Sequence, residues 1–189
     1  LILCFGMMTK TLLNKEACNL TLKRLVCQLH ERHHPWSQSV IVGLQPRGIA
    51  LARLLANALE ADYQTEPIAV GEMDITFHRD DFRRRDEPLS ANPNNMDLLI
   101  EGKRVIFVDD VLYTGRSIRA ALDAIQPYGR PSLIELCVLI DRRFSRELPI
   151  QPTYTGQRVD AIDEERVSVI WNKQDQLQRV IIETPEHGQ

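Results

Sequence analysis

The stretch Val105-Ile-Phe-Val-Asp109-Asp110-Val-Leu-Tyr113-Thr114-Gly115-Arg116-Ser117 decides the fold. An apolar run of strand character ends in two adjacent acids, and a short loop follows. A helix is then expected over Ser117–Gln126, with Ile118, Ala121, Leu122 and Ile125 as its buried stripe. Gly115 lets the backbone turn tightly and approach a ligand without a Cβ in the way. The first N–H groups of a helix have no internal partners and lie at its positive dipole end, which makes an anion site suited to phosphate. Thr114 and Ser117 add hydroxyl donors. Asp109 and Asp110 repel a phosphate, so they suit sugar hydroxyls, or a metal ion reached through water. Phosphate, vicinal diol and metal at one loop describe a phosphorylated ribose. An acid pair after a strand also fits receiver-type and magnesium-dependent phosphatase sites, and Thr-Gly-x-Ser fits a plain helix cap. The whole run, in this order on strand, loop and helix, favours the sugar phosphate.

The same strand–loop–helix pattern recurs outward from this motif. Val40–Leu44 is followed by the turn Gln45-Pro46-Arg47-Gly48 and by Ile49, Ala52, Ala56 and Leu59 at helical spacing. Leu133–Ile140 is a third apolar run, and Val167–Trp171 and Arg179–Glu183 are further strand candidates. Residues Asn14–Arg32 read as an amphipathic helix with Cys18, Leu22, Leu25, Val26 and Leu29 on one side. Pro35 ends it, because the residue before a proline is pushed out of the helical region. Continuous apolar strands alternating with helices predict a parallel sheet covered on both faces. In such sheets ligands sit beyond the carboxyl ends of the strands, so the loops after Leu44, Val108 and Ile140 are expected on one rim. His78–Glu87 mixes arginines and acids and reads as a solvated hairpin or a lid.

Composition sets the bounds. The chain has 189 residues, 43% hydrophobic and 26% charged, which suits one globular domain able to bury its own core. No apolar run approaches the ~20 residues that a bilayer span needs. Cys4, Cys18, Cys27 and Cys137 show no metal-ligand spacing, and Cys18 and Cys27 fall on opposite sides of one helix. Reduced, buried thiols and a cytoplasmic setting are expected. The histidines His30, His33, His34 and His187 read as surface residues, and Trp36 and Trp171 as packing residues. Leu1–Gly6 reads as preceding a start at Met7 or Met8, so residues 1–8 are set aside as disordered or pre-start and a single domain is expected over 9–185. Net charge is −3, yet residues 1–35 carry Lys10, Lys15, Lys23, Arg24 and Arg32 against only Glu16 and Glu31. That local excess marks a candidate partner surface.

The Asp109–Ser117 motif resembles the phosphoribosyl-pyrophosphate (PRPP) signature of the type I phosphoribosyltransferases. Further similarity to the pyrimidine-operon regulators of that family lies in Pro46-Arg47-Gly48-Ile-Ala-Leu-Ala, Gly71–Asp81, Asp86-Glu87-Pro88-Leu89 and Gly129-Arg130-Pro131-Ser132. It continues through Leu139-Ile140-Asp141-Arg142, Arg146–Ile150 and Tyr154-Thr155-Gly156.

The resemblance implies an α/β type I phosphoribosyltransferase fold, a mostly parallel central sheet flanked by helices with a flexible lid or hood. It implies uracil phosphoribosyltransferase activity, uracil and PRPP giving UMP and diphosphate. It also implies UMP- or UTP-dependent binding to the leader mRNA of pyrimidine genes, with transcriptional attenuation as the outcome. Asp109 and Asp110 would bind the ribose hydroxyls, and Val111, Leu112, Tyr113, Thr114, Gly115, Arg116 and Ser117 would wrap the 5′-phosphate. Pro46, Arg47 and Gly48 would form the pyrophosphate loop, and Arg79 would close over it. Asp141 and Arg142, on the loop after the third strand, would lie at the base pocket, with Val167 in the hood above.

Arg47, Arg79, Asp109 and Asp110 would carry catalysis. Mg²⁺ would be held through PRPP and water near the two aspartates rather than by a direct ligand set. Lys15, Lys23, Arg24 and Arg32 would supply the RNA face, and the assembly would be a homodimer, tetramer or hexamer with no membrane partner. Two alternatives stay open. One is transfer to hypoxanthine or orotate without an RNA role, against which stands Tyr113, since purine enzymes place an aspartate there as proton donor. The other is a purely regulatory RNA-binding protein with vestigial activity. The sequence departs from the family pattern at Pro46, where threonine is usual, and at Arg143, where glycine is common. Because an X–Pro bond reaches cis at ~0.5–1 kcal/mol over trans, Gln45–Pro46 is expected to be cis.

Overall fold

A computed structural model describes residues 7–45, 47–75 and 98–185. The elements run β1 (Met7–Leu13), α1 (Lys15–His33), β2 (Ser39–Leu44), α2 (Gly48–Tyr63), β3 (Val70–Met73), β4 (Arg104–Leu112), α3 (Arg116–Ala124), β5 (Leu133–Arg142), β6 (Tyr154–Val159), β7 (Arg166–Trp171) and β8 (Leu177–Pro185). Five strands form one sheet in the order β3-β2-β4-β5-β6, every pair parallel. The expected sheet is therefore present, and β4 lies at its centre.

The strands read as unbroken apolar runs because both sheet faces are covered. Alternate residues part to the two sides, as the pleat requires. Ile41, Ile106, Val108, Cys137 and Leu139 meet α1 and α2 through Leu25, Leu29, Leu51, Leu55 and Leu59. Val40, Val42, Phe107, Leu136 and Val138 meet α3 through Ile118 and Ala121. Burying a leucine side chain fully contributes roughly 1.5–3 kcal/mol, so the two layers account for much of the fold's stability. Trp36 and Trp171 pack with the first layer, as expected.

Helix α1 begins where the sequence places it: Asn14 Oδ1 accepts the Ala17 N–H at 2.9 Å, an N-cap bond. Cys18 is buried and Cys27 exposed, on opposite sides as the spacing requires, so the expectation of buried thiols fails at Cys27. A second, antiparallel sheet in the order β1-β8-β7 packs Leu13, Val167, Val169, Val180 and Ile182 into the first core layer. Met7 and Met8, set aside in the sequence reading, pair in β1 with Pro185 and Thr184. Gln45–Pro46 in its expected cis form, Arg79, the His78–Glu87 lid and His187 lie outside the described residues.

One expectation is overturned at the amino-terminal end of the sheet. His33 is fully buried rather than at the surface. Its Nδ1 lies 2.9 Å from Ser39 Oγ, and its Nε2 lies 2.9 Å from Tyr154 Oη and 3.0 Å from Glu135 Oε2. Arg32 Nε reaches the other oxygen of Glu135 at 2.7 Å, and Arg104 Nη1 donates to the Arg32 carbonyl at 3.0 Å. The knot thus ties α1 to β2, β4, β5 and β6. Burial first, then the charges of Arg104 and Arg32, lower the His33 pKa from 6.5 to about 4. An unfolded chain binds that proton near pH 6.5 while the folded one refuses it until about pH 4. Stability is therefore intact above pH 6.5 and is lost as the pH falls toward 4, by up to about 3 kcal/mol. Urea midpoints at pH 7.0, 5.5 and 4.5 should fall in that order, and His33→Gln should flatten the trend. Equal slopes for parent and variant would discard the role of His33.

Candidate active site

Parallel strands bring the carboxyl ends of β2, β4 and β5 to one rim. The sequence reading ends the central strand at Val108, but β4 continues through both acids to Leu112. It does so because Asp109, Val111 and Leu112 still pair with Val138, Ile140 and Asp141 of β5. Likewise Asp141 and Arg142 are the last residues of β5, paired with Arg158 and Val159, and not loop residues as expected. Both corrections have one cause: the ladders of adjacent strands extend past the apolar stretches that mark them in sequence.

Beyond this rim opens a cavity of about 280 Å³, walled by Gln45, Arg47 and the continuous run Asp109–Ser117. Gly115 stands at φ +94° as the N-cap of α3, a left-handed conformation that side chains other than glycine adopt at a cost. Its turn presents the N-terminal N–H groups of α3 to the same space, flanked by Thr114 and Ser117, the first of them, that of Arg116, reaching Thr114 Oγ1 at 3.4 Å. Gly48, the first residue of α2, lies so close to β4 that a Cβ there would stand 2.2 Å from the Val108 carbonyl oxygen and 3.2 Å from Asp109 Cα. Direct helix-to-strand contact at Gly48 brings Arg47 beside the acid pair.

The acids are held by the backbone. The N–H of Asp110 donates to Asp109 Oδ1 at 2.9 Å, and the N–H of Val111 donates to Asp110 Oδ1 at 2.8 Å. The other oxygen of Asp110, Oδ2, is buried and accepts no hydrogen bond, although Arg47 Nη1 stands 3.8 Å away. Burial pushes the Asp110 carboxyl above the usual carboxylate range, while Arg47 and the two backbone N–H groups oppose the rise. A buried oxygen without a donor is costly, and it suits an incoming hydroxyl or the water shell of a hard cation. Among the described residues no group of three or more His, Cys, Asp or Glu side chains gathers as a direct metal site.

The loop after β5 is fastened to this motif by contacts that the sequence reading misses. The N–H groups of Glu147 and Leu148 donate to the Thr114 carbonyl at 3.1 and 3.3 Å, and Arg116 Nε donates to Glu147 Oε2 at 2.7 Å. Arg146 bridges the Tyr113 carbonyl and Asp141 Oδ1. Only the run Arg146–Ile150 within the resemblance signals them. Asp141 opens instead on a neighbouring cavity of about 430 Å³, which it shares with Arg143, Arg146 and Arg158. Arg142 is buried with its guanidinium 4.0 Å from the Tyr113 ring centroid. Val167 is in the core and is not part of the wall of the first cavity.

On α1, Lys15 and Lys23 are exposed. The Arg24 guanidinium instead donates to the Thr155 and Gly156 carbonyls, and Arg32 pairs with Glu135, so half of the expected basic face is engaged within the fold. Among the described residues no helix is long and apolar enough to cross a membrane.

Comparison with known proteins agrees with this geometry. Residues 8–172 match the phosphoribosyl transferase domain. The chain is 45% identical over 158 residues to the bifunctional protein PyrR of Gloeothece citriformis, covering 84% of this chain and 88% of the relative. It is 40% identical to the PyrR of Bacillus subtilis over 90% of this chain and 94% of the relative. The hypoxanthine phosphoribosyltransferase of Trypanosoma cruzi shares the fold, with a TM-score of 0.67 at 17% identity, covering 94% of this chain and 97% of that one. A hypoxanthine phosphoribosyltransferase from Staphylococcus aureus does so with a TM-score of 0.63 at 21% identity, over 81% and 80%. With such identity sustained over nearly its whole length, the chain belongs to the phosphoribosyltransferase family and, within it, to the PyrR proteins.

Proposed function

We propose that the protein transfers the phosphoribosyl group of PRPP to uracil, giving UMP and diphosphate, and that with a pyrimidine nucleotide bound it attaches to the leader mRNA of pyrimidine biosynthesis genes. The observation that carries the first part is the single cavity between the open N-terminus of α3 and the unsatisfied Asp110 oxygen. A phosphate fits one end and a sugar diol the other.

In this reading the N–H groups at the start of α3, with Thr114 and Ser117, hold the 5′-phosphate. Asp109 and Asp110 accept from the ribose hydroxyls and so fix C1′ relative to the base. Breaking the C1′–O bond leaves positive charge on the sugar and negative charge on the departing diphosphate. Arg47, from the amino end of α2, faces that charge, and Arg79 is assigned to the same leaving group. Asp109 and Asp110 would hold Mg²⁺ through water, and the cation would supply further neutralisation of the leaving group. The site is cytoplasmic in this reading.

The experiment offers uracil, hypoxanthine and orotate separately with PRPP and Mg²⁺ and identifies the nucleotide formed. UMP from uracil is the expected product; inosinate or orotidylate in its place would overturn the base assignment. The RNA part rests on membership among proteins named bifunctional and on exposed Lys15 and Lys23. Filter binding of a pyrimidine leader RNA should appear with UMP and weaken steeply with salt, as phosphate contacts do. Failure to bind at low salt with UMP present would leave the enzyme alone.

A further inference from the structure

Arg142 carries a charge that the fold does not balance. It is only 5% exposed, its Nη2 donates to the Ile162 carbonyl at 3.0 Å, and its Nε has no hydrogen-bond partner. No carboxylate of the described residues pairs with it. Burying a guanidinium without a counter-ion is strongly unfavourable, so such a charge persists where something else uses it. Besides the Ile162 carbonyl, the guanidinium stands over the face of the Tyr113 ring, 4.0 Å from its centroid. Tyr113 is 37% exposed and forms part of the cavity wall, so the guanidinium stands over one face of a ring that also borders the cavity. The register explains why they meet: Leu112 pairs with Asp141, and each of the two residues follows one of those partners.

We propose that Tyr113 and Arg142 act as a charge-backed platform for the base: the planar ring of an oxo-pyrimidine lies on the open face of Tyr113, and the buried guanidinium behind it stabilises the negative charge that the base gains as it loses its N1 proton. The inference rests on the uracil reading above. In the step, the N1–H bond breaks and its proton passes to solvent. The N1 electron pair forms the bond to C1′, while the C1′–O pair leaves with diphosphate. Charge built on the base before bond formation is what Arg142 lowers in energy, acting through the ring from a poorly solvated position. Arg142 is therefore a positioning and electrostatic residue, and Tyr113 the surface that transmits its effect.

The test compares uracil with 5-fluorouracil, whose more acidic N1–H needs less help to ionise. In Arg142→Met, kcat/KM for uracil should fall about a hundredfold and that for 5-fluorouracil about tenfold, with KM for PRPP within about twofold of the parent. The ratio of the two bases thus moves toward 5-fluorouracil. Tyr113→Leu should move it the same way, and it replaces a partly exposed side chain, so it decides the matter even if loss of Arg142 prevents folding. Tyr113→Phe, which keeps the ring, should hold the parental ratio. An equal fall for both bases in the Met and Leu variants overturns the platform. A parent that makes no UMP at all overturns the uracil reading itself, a result that the base ratio does not mimic.

Discussion

Replacing Asp109 and Asp110 together by asparagine should lower kcat/KM for PRPP by about a thousandfold. In the proposed reading each carboxylate accepts a charge-assisted hydrogen bond from a sugar hydroxyl, worth roughly 1.5–3 kcal/mol, and every ~1.4 kcal/mol is tenfold in rate. The fold should tolerate the change, because an asparagine Oδ1 still accepts the N–H of Asp110 and of Val111 where the carboxylates do now. Stability should rise slightly. Burial already disfavours the charged form of Asp110, so a neutral group in its place removes a standing cost. Initial rates against PRPP concentration, with thermal melts beside them, separate the two effects. Rates within about threefold of the parent would remove the acid pair from the site, and the sugar-phosphate reading with it.

Gly48→Ala is the second large effect, and it acts through backbone. The new methyl would meet the Val108 carbonyl oxygen at 2.2 Å, a distance that no rotamer relieves. Either the amino end of α2 lifts away from β4 or the strand yields beside Asp109. Overpacking of this kind typically costs 1–3 kcal/mol and occasionally more. About 3 kcal/mol corresponds to a Tm lower by roughly 6–12 °C in a domain of this size. Because Arg47 precedes Gly48, the displacement should also carry the Arg47 guanidinium away from Asp110, and turnover should drop at least tenfold in the folded fraction. An alanine variant with parental melting temperature and rate would show that α2 has room that the structure denies it.

The parts of this architecture that were legible in the sequence are those that repeat locally. Val40–Leu44, Arg104–Val108 and Leu133–Ile140 announce a doubly covered sheet because each is apolar on both faces. The Asp109–Ser117 run announces the cavity because all its parts are consecutive. Strands β3 and β6 escaped notice: Val-Gly-Glu-Met is too short to show a period, and Tyr-Thr-Gly-Gln-Arg-Val lies at the sheet edge with polar residues on its open side. β1 falls partly in residues 1–8, read as disordered or pre-start, and its exposed Met7–Thr11 stretch makes its case through pairing alone. His33 looked like a surface residue because its partners Ser39, Glu135 and Tyr154 come from strands scattered along the chain and meet only in the folded sheet. Arg24 and Arg32 looked free for the same reason. The Tyr113–Arg142 stack likewise depends on which residues of β4 and β5 stand level, and no single segment contains that register.

The β1–β8 ladder sets Met7 opposite Pro185, one strand spacing apart. Between these two residues the described chain is in effect a nearly closed loop, while the Gly115 turn lies far off along the contour. Joining Met7 to Pro185 through a few linking residues would give a circular permutant with fresh ends opened at the bend around residue 66, where Glu66 and Pro67 are exposed, and with every strand of the parallel sheet left uncut.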